Sequence, residues 1–188
     1  LPLSTPITAW VFDDRRSTSW MKEALAATGV HSSGYESAFV KQVSATPDVS
    51  RDGSLEILLY ATHYPDRLGA GDQYEMSHEF THLNQTFSIP KGKGGLTCWQ
   101  REGMAEYGAL AISGRYSALR YQQETLHGTH YVMNLKSDFG TDWNKFFLID
   151  ETKSVGDCSV DDYAIGALAF QYLEGKYGHK KVMSFLQY

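Results

Sequence analysis

Asp72-Gln73-Tyr74-Glu75-Met76-Ser77-His78-Glu79-Phe80-Thr81-His82-Leu83-Asn84-Gln85-Thr86-Phe87 reads as one helix. At its centre His78-Glu79-Phe80-Thr81-His82 spells H-E-x-x-H. Residues four apart on an α-helix lie on one face, a turn apart. Both imidazoles can therefore reach a single metal ion from one rigid element. Glu79 falls beside them, within reach of a metal-bound water without ligating the metal itself. Zinc hydrolysis asks for this arrangement. The competing reading is two half-buried histidines on an amphipathic helix, and residues elsewhere in the chain have to decide between the two.

The helix has recognisable ends. Asp72 can cap it, and Glu75 three residues on has capping-box spacing. Pro90 and Lys91-Gly92-Lys93-Gly94-Gly95 follow it. Upstream, Leu55 to Thr62 is a mostly apolar strand bounded by Gly53 and Pro65, and Ile7 to Phe12 is a second strand. If Leu55 to Thr62 is a sheet edge, it can pair with an extended substrate. Ser17 to Ala27 reads as a helix stopped by Gly29. Tyr35, Phe39 and Val43 recur every four residues and fit either a helix or an irregular strand pair. Thr46-Pro47-Asp48 and Arg51-Asp52-Gly53 read as turns.

Downstream the chain turns helical. Thr97 with Gln100 predicts a helix from Cys98 to about Ile112, with Gly114 after it. Tyr116 to about Leu126 is a further candidate helix, and His127-Gly128-Thr129-His130 reads as a loop. Thr141 to Ile149 is ambiguous. Ser159 with Asp162 predicts a helix to Tyr177 that Gly178 ends, and Lys180 to Tyr188 reads as a helix. The expected fold is α+β, with a small N-terminal β-sheet followed by a mainly helical half. We expect one domain over 1–188, its sheet-bearing part about 1–71 and its helical part about 72–188.

Composition excludes several classes. The 188 residues are 42% apolar and 21% charged, enough for one domain with a substantial core. Net charge is −5, and no basic stripe tracks a phosphate backbone, which sets nucleic acid aside. No apolar run approaches the roughly 18 residues of a membrane span. Leu1 opens the sequence without a signal pattern, and the end falls in a candidate helix, so the natural protein is expected to be longer. Gly92-Lys93-Gly94-Gly95 lacks the G-K-[ST] of a phosphate loop. Asn84-Gln85-Thr86 spells a glycosylation sequon inside a helix. Glu75 suits the helix dipole.

A catalytic zinc takes three protein ligands and leaves one position open. A third histidine in an H-x-x-G-x-x-H continuation is excluded, because Gln85 and Ser88 stand at those positions. The other common solution is a glutamate on a following helix. Arg101-Glu102-Gly103-Met104-Ala105-Glu106-Tyr107 supplies one. Glu102 would face the histidine pair, and small Gly103 and Ala105 would let two helices approach. Glu106, one turn on, is placed to hold the outer nitrogen of a ligating histidine.

H-E-F-T-H followed by R-E-G-M-A-E-Y resembles the gluzincins, zinc metallopeptidases with an H-E-x-x-H helix and a glutamate on a second helix. The closest likeness is to compact members with an E-G-x-A-E-Y second motif. The motifs cover about Asp72 to Tyr107, and Asp162-Tyr163-Ala164-x-Gly166 through Tyr177-Gly178 is a weaker match. The resemblance implies a zincin-like metallopeptidase domain with one zinc ion held by His78, His82 and Glu102. It implies Glu79 as general base for a zinc-bound water attacking a peptide bond. It makes Tyr163 the first candidate to stabilise the oxyanion, with His127 and His130 as alternatives. No G-x-M-E-N-like segment precedes the motif, so an endopeptidase acting on peptides or proteins is expected rather than an aminopeptidase. The alternative is a zinc-bearing binding or adhesion module without activity.

Cys98 lies four residues before Glu102 and Cys158 five before Tyr163. A disulfide between them would tie the ligand helix to the segment carrying the oxyanion candidate, and it points to a secreted or extracytoplasmic protein. Substrate preference and oligomeric state are not legible in the sequence.

Overall fold

Three strands and five helices with defined bounds make up the computed structural model, which describes residues 6–12, 23, 26, 45–49, 55–60, 70–88, 96–139 and 158–185. The strands are β1 (Ile7–Phe12), β2 (Ala45–Val49) and β3 (Leu55–Tyr60). The helices are α1 (Ala70–Ser88), α2 (Cys98–Tyr116), α3 (Ala118–Phe139), α4 (Val160–Tyr177) and α5 (His179–Phe185). The described residues are thus mainly helical. Glu23 and Ala26, within the expected Ser17 to Ala27 helix, are helical and exposed. The stretches around Tyr35, Phe39 and Val43, the Arg51-Asp52-Gly53 turn and Thr141 to Ile149 lie outside the described residues. The chain forms two compact units, Leu1–Asn84 and Gln85–Tyr188. The division falls inside α1.

In the first unit the sheet order is β1-β3-β2. β3 runs parallel to β1, with Ile7 opposite Leu55 and Phe12 opposite Tyr60. It runs antiparallel to β2, with Ala45 opposite Leu59 and Val49 opposite Leu55. Leu55 and Ile57, two apart, share one face of the pleat. Both are 1% exposed and pack with Leu83 of α1, with Ile7 against them. This burial seats α1 on the sheet. Two expectations are corrected here. β3 is the central strand, so its backbone is already paired on both sides and is no edge for a substrate. Thr46-Pro47-Asp48 is not a turn but part of β2, at the sheet's edge, where a proline without an N–H is tolerated.

In the second unit α2 and α4 cross backbone to backbone. A methyl on Gly103 would stand 2.3 Å from the Gly166 Cα, and one on Gly166 would stand 2.2 Å from the Trp99 carbonyl oxygen. Gly103 therefore does allow a close helix approach, but its partner is α4 and not the helix bearing the histidines. Cys98 and Cys158 form a disulfide at the same end of the pair, with Cα atoms 5.3 Å apart. Met104 and Tyr107 of α2, Phe170 of α4 and Val182 of α5 form the core, with Leu96, Trp99 and Leu173 against it. The Phe170 ring lies between those of Trp99 and Tyr107, at centroid distances of 5.9 and 6.0 Å.

The helix ends follow local chemistry. Gln100 Oε1 accepts from the Thr97 N–H at 3.0 Å, one half of the expected capping box. The Thr97 hydroxyl is buried with no partner among the described residues, so the other half is missing. Ser159 caps α4 as its spacing predicts, and Asp162 Oδ2 accepts from Ser159 N at 2.6 Å and from Ser159 Oγ at 3.0 Å. Gly178 ends α4 at φ 81°. α2 runs past Gly114 because the Tyr121 ring of α3 packs where that residue has no side chain. α3 in turn continues through His127-Gly128-Thr129-His130, which is helix and not loop. α1 starts two residues ahead of Asp72, so Asp72 sits in its first turn and is not its cap.

Candidate metal centre

The inward face of α1 is polar. Ser77, His78, Glu79, His82 and Gln85 are buried, whereas Met76 and Phe80 are exposed. An amphipathic helix built only to fill a core would show the reverse. His78, His82 and Gln85 follow the i, i+4, i+7 rhythm of one face. The two Nε2 atoms stand 3.0 Å apart, with the rings edge to face at a centroid distance of 4.7 Å. Two nitrogens bound about 2.1 Å from one tetrahedral zinc are about 3.4 Å apart. The pair therefore stands near the spacing of metal ligands, with the same ring nitrogen of each histidine turned to a common point.

α2 brings the carboxylate. Glu102 is 4% exposed, and its Oε1 lies 3.6 Å from Arg101 Nε. One ligand atom each from His78, His82 and Glu102 all fall within 4.8 Å of one another, a buried group that could hold a metal ion. Two imidazoles and a carboxylate are a donor set that zinc accepts. Burying such groups is unfavourable unless they are paired or coordinated. Gln85 Nε2 donates to the Arg101 carbonyl at 2.7 Å, next to Glu102. In the sequence Gln85 stands where an H-x-x-G-x-x-H continuation would need glycine, and within the Asn84-Gln85-Thr86 sequon. Its place three residues after His82 on the same face was the signal that it serves the same neighbourhood.

Tyr163 is half-buried near the start of α4 and lines a cavity of about 230 Å³ in the second unit. Glu106 and His127 line the same cavity, so α2, α3 and α4 bring three of the expected residues together. Glu106 lies one turn beyond Glu102 on α2. His130 is exposed and does not line this cavity. α3 is held to α4 by the Tyr131 hydroxyl donating to Asp161 Oδ1 at 2.6 Å and by Gln171 Nε2 with Thr125 Oγ1 at 3.4 Å. The Asp161 carboxylate, which accepts that proton, raises the Tyr131 phenol above its ordinary pKa, and burial adds to the shift.

No protein-family model, curated protein or solved structure compared with the chain matches it. What is known of the site comes from its own residues. No described helix is long and apolar enough to cross a membrane.

Proposed function

We propose that the chain is a zinc-dependent peptidase of the gluzincin type, cleaving internal peptide bonds. The observation that carries the reading is the buried group His78, His82 and Glu102, with Glu79 buried beside it on the same helix. A zinc ion bound there supplies Lewis acidity and brings the pKa of water towards about 7. Glu79 takes the proton of the attacking water and hands it to the leaving amine. The Tyr163 hydroxyl donates to the oxyanion of the tetrahedral intermediate. Glu106 orients the site from one turn beyond Glu102. The Cys98–Cys158 disulfide favours an extracytoplasmic setting.

The test measures bound zinc and peptide cleavage in the protein and in Glu79→Gln. The expected result is about one zinc in both proteins, with cleavage lost only in the variant. Zinc without cleavage in the parent protein would identify a binding module instead. No zinc in either would overturn the metal centre.

A further inference from the structure

Lysines gather where α4 passes into α5. Lys176 lies in the last turn of α4, and Lys180 and Lys181 lie in the first turn of α5. All are exposed, and among the described residues no carboxylate pairs with any of them. Glu174, on the same end of α4, has its Oε1 2.8 Å from His179 Nδ1. The ammonium groups turn to aromatic rings instead. Lys176 Nζ donates to the Tyr172 hydroxyl at 3.5 Å and stands 5.6 Å from that ring's centroid. Lys176 Nζ and Lys181 Nζ both stand over the Tyr177 ring, at 5.3 and 5.8 Å from its centroid. Ring faces attract cations, but they do not neutralise them. A spot of unbalanced positive charge thus stands on a chain whose net charge is −5.

Tyr177 also walls two recesses. One, of about 300 Å³, is lined by Leu173, Tyr177, Lys181 and Val182. The other, of about 490 Å³, includes Tyr177, Lys180, Lys181 and Ser184 in its lining. An apolar slot and a cationic one therefore share Tyr177 and Lys181. A lysine stem is apolar and its head is cationic, so Lys181 suits a wall common to both. The smaller recess is several times the roughly 30 Å³ share of one water in the liquid, room enough for an aliphatic side chain.

We infer that this face of α4 and α5 docks an acidic segment of a partner protein, with one apolar side chain of the segment in the smaller recess and its carboxylates at Lys176, Lys180 and Lys181. Charge complementarity and the apolar slot select the occupant together. A bare anion such as phosphate has no use for Leu173 and Val182. A purely apolar segment has no use for the lysines. An anionic bilayer fits less well, because lipid-binding clusters carry about four to eight basic residues and an extended negative surface would repel the rest of this acidic chain. A short segment meets the lysines alone. No residue of this face belongs to the His78, His82 and Glu102 group, so the inference does not rest on the peptidase reading.

The experiment follows the fluorescence anisotropy of labelled peptides added to the Glu79→Gln protein, in which the proposed cleavage cannot consume the probe. The probes are fluorescein-Glu-Glu-Leu-Glu-Glu amide, a form with glutamine for every glutamate, and a form with alanine for the leucine. The first is expected to bind best. The alanine form should bind about tenfold more weakly, and the glutamine form at least about fivefold more weakly. Lys180→Gln combined with Lys181→Gln should weaken the first probe by about tenfold while leaving the glutamine form unchanged. Equal binding of the glutamate and glutamine forms, or of the leucine and alanine forms, would overturn the inference. Both comparisons use the unsubstituted lysines, so they decide even if the lysine variant fails to fold. Undiminished binding by a folded lysine variant would overturn it too. Sedimentation with phosphatidylserine vesicles that the first probe does not displace would assign the face to a membrane and overturn it likewise.

Discussion

Gly103 and Gly166 meet backbone to backbone, and each occupies the only space the other leaves. A methyl on either one overlaps main-chain atoms of the partner helix at 2.2 to 2.3 Å. Main chain cannot swing aside as a flexible side chain does. Gly103→Ala and Gly166→Ala are each expected to destabilise by about 1–3 kcal/mol or more. Gly175→Ala, in the same α4 but with nothing within 4 Å, is expected to stabilise by about 0.5–1 kcal/mol. Thermal unfolding of the three variants checks the contrast, and equal effects would refute the crossing.

The disulfide joins residues 60 apart in sequence. Closing such a loop stabilises by about 4 kcal/mol in the chain-entropy account. Reductant is therefore expected to move the denaturant midpoint down markedly. Thiol titration of the unfolded, unreduced protein should find no free thiol, and two would rule the bridge out.

Asp162 is fully buried and accepts two hydrogen bonds from Ser159. Asp162→Ala strands both donors and is expected to destabilise by about 1–3 kcal/mol. Ser159→Ala keeps the backbone donor paired and should lose only about 1 kcal/mol. Urea unfolding orders the two, and a milder Asp162→Ala would contradict the cap.

Among the described residues, the phenols of Tyr107 and Tyr131 are shifted towards higher pKa. Burial raises the Tyr107 pKa above its ordinary value, and the Glu174 carboxylate adds to it. Its hydroxyl lies 3.4 Å from His179 Nδ1, which meets Glu174 Oε1 at 2.8 Å. Tyr131 is raised chiefly by its bond to Asp161. A phenol whose pKa is higher folded than unfolded contributes stability that is complete below about pH 10 and lost above it. Stability is thus expected to fall above pH 10, and Tyr131→Phe to make that fall shallower. Tyrosinate absorbance during an alkaline titration checks it, since the Tyr107 and Tyr131 phenols should ionise late.

Zinc at about a hundred times its dissociation constant should stabilise the protein by about 2.7 kcal/mol. Thermal unfolding with and without zinc reads the effect. Glu102→Ala should lose at least about tenfold in affinity and most of the shift, whereas Glu79→Gln should keep it. A shift that survives Glu102→Ala would remove that residue from the ligand set.

The histidine helix and Glu102 were legible in the sequence because the H-E-x-x-H and E-G-x-A-E-Y patterns fix residue type and spacing together. The Ser159–Asp162 cap and the cysteine pair were legible for a like reason, since few residues can do those tasks. Other features depended on partners distant in the chain. Nothing in Leu55 to Tyr60 says that β1 and β2 occupy both of its edges. Gly103 reads as a close-approach residue, yet its partner Gly166 lies beyond α3, in α4. His127 to His130 looked like a loop because Gly128 weakens a helix locally, but packing of α3 on its neighbours overrides that preference.

The segment 102–107 of α2 has little slack in its angular phase. Glu102 belongs to the group that could hold a metal ion, Gly103 abuts α4, Met104 and Tyr107 enter the core, and Glu106 lines the cavity. Each successive residue turns about 100° around the axis. Deleting one residue between the disulfide anchor Cys98 and Glu102 would rotate all of these assignments together by that angle. The carboxylate, the glycine contact and the core side chains would be lost in one step, although no functional residue had been changed. Length, as much as identity, is what this helix must conserve.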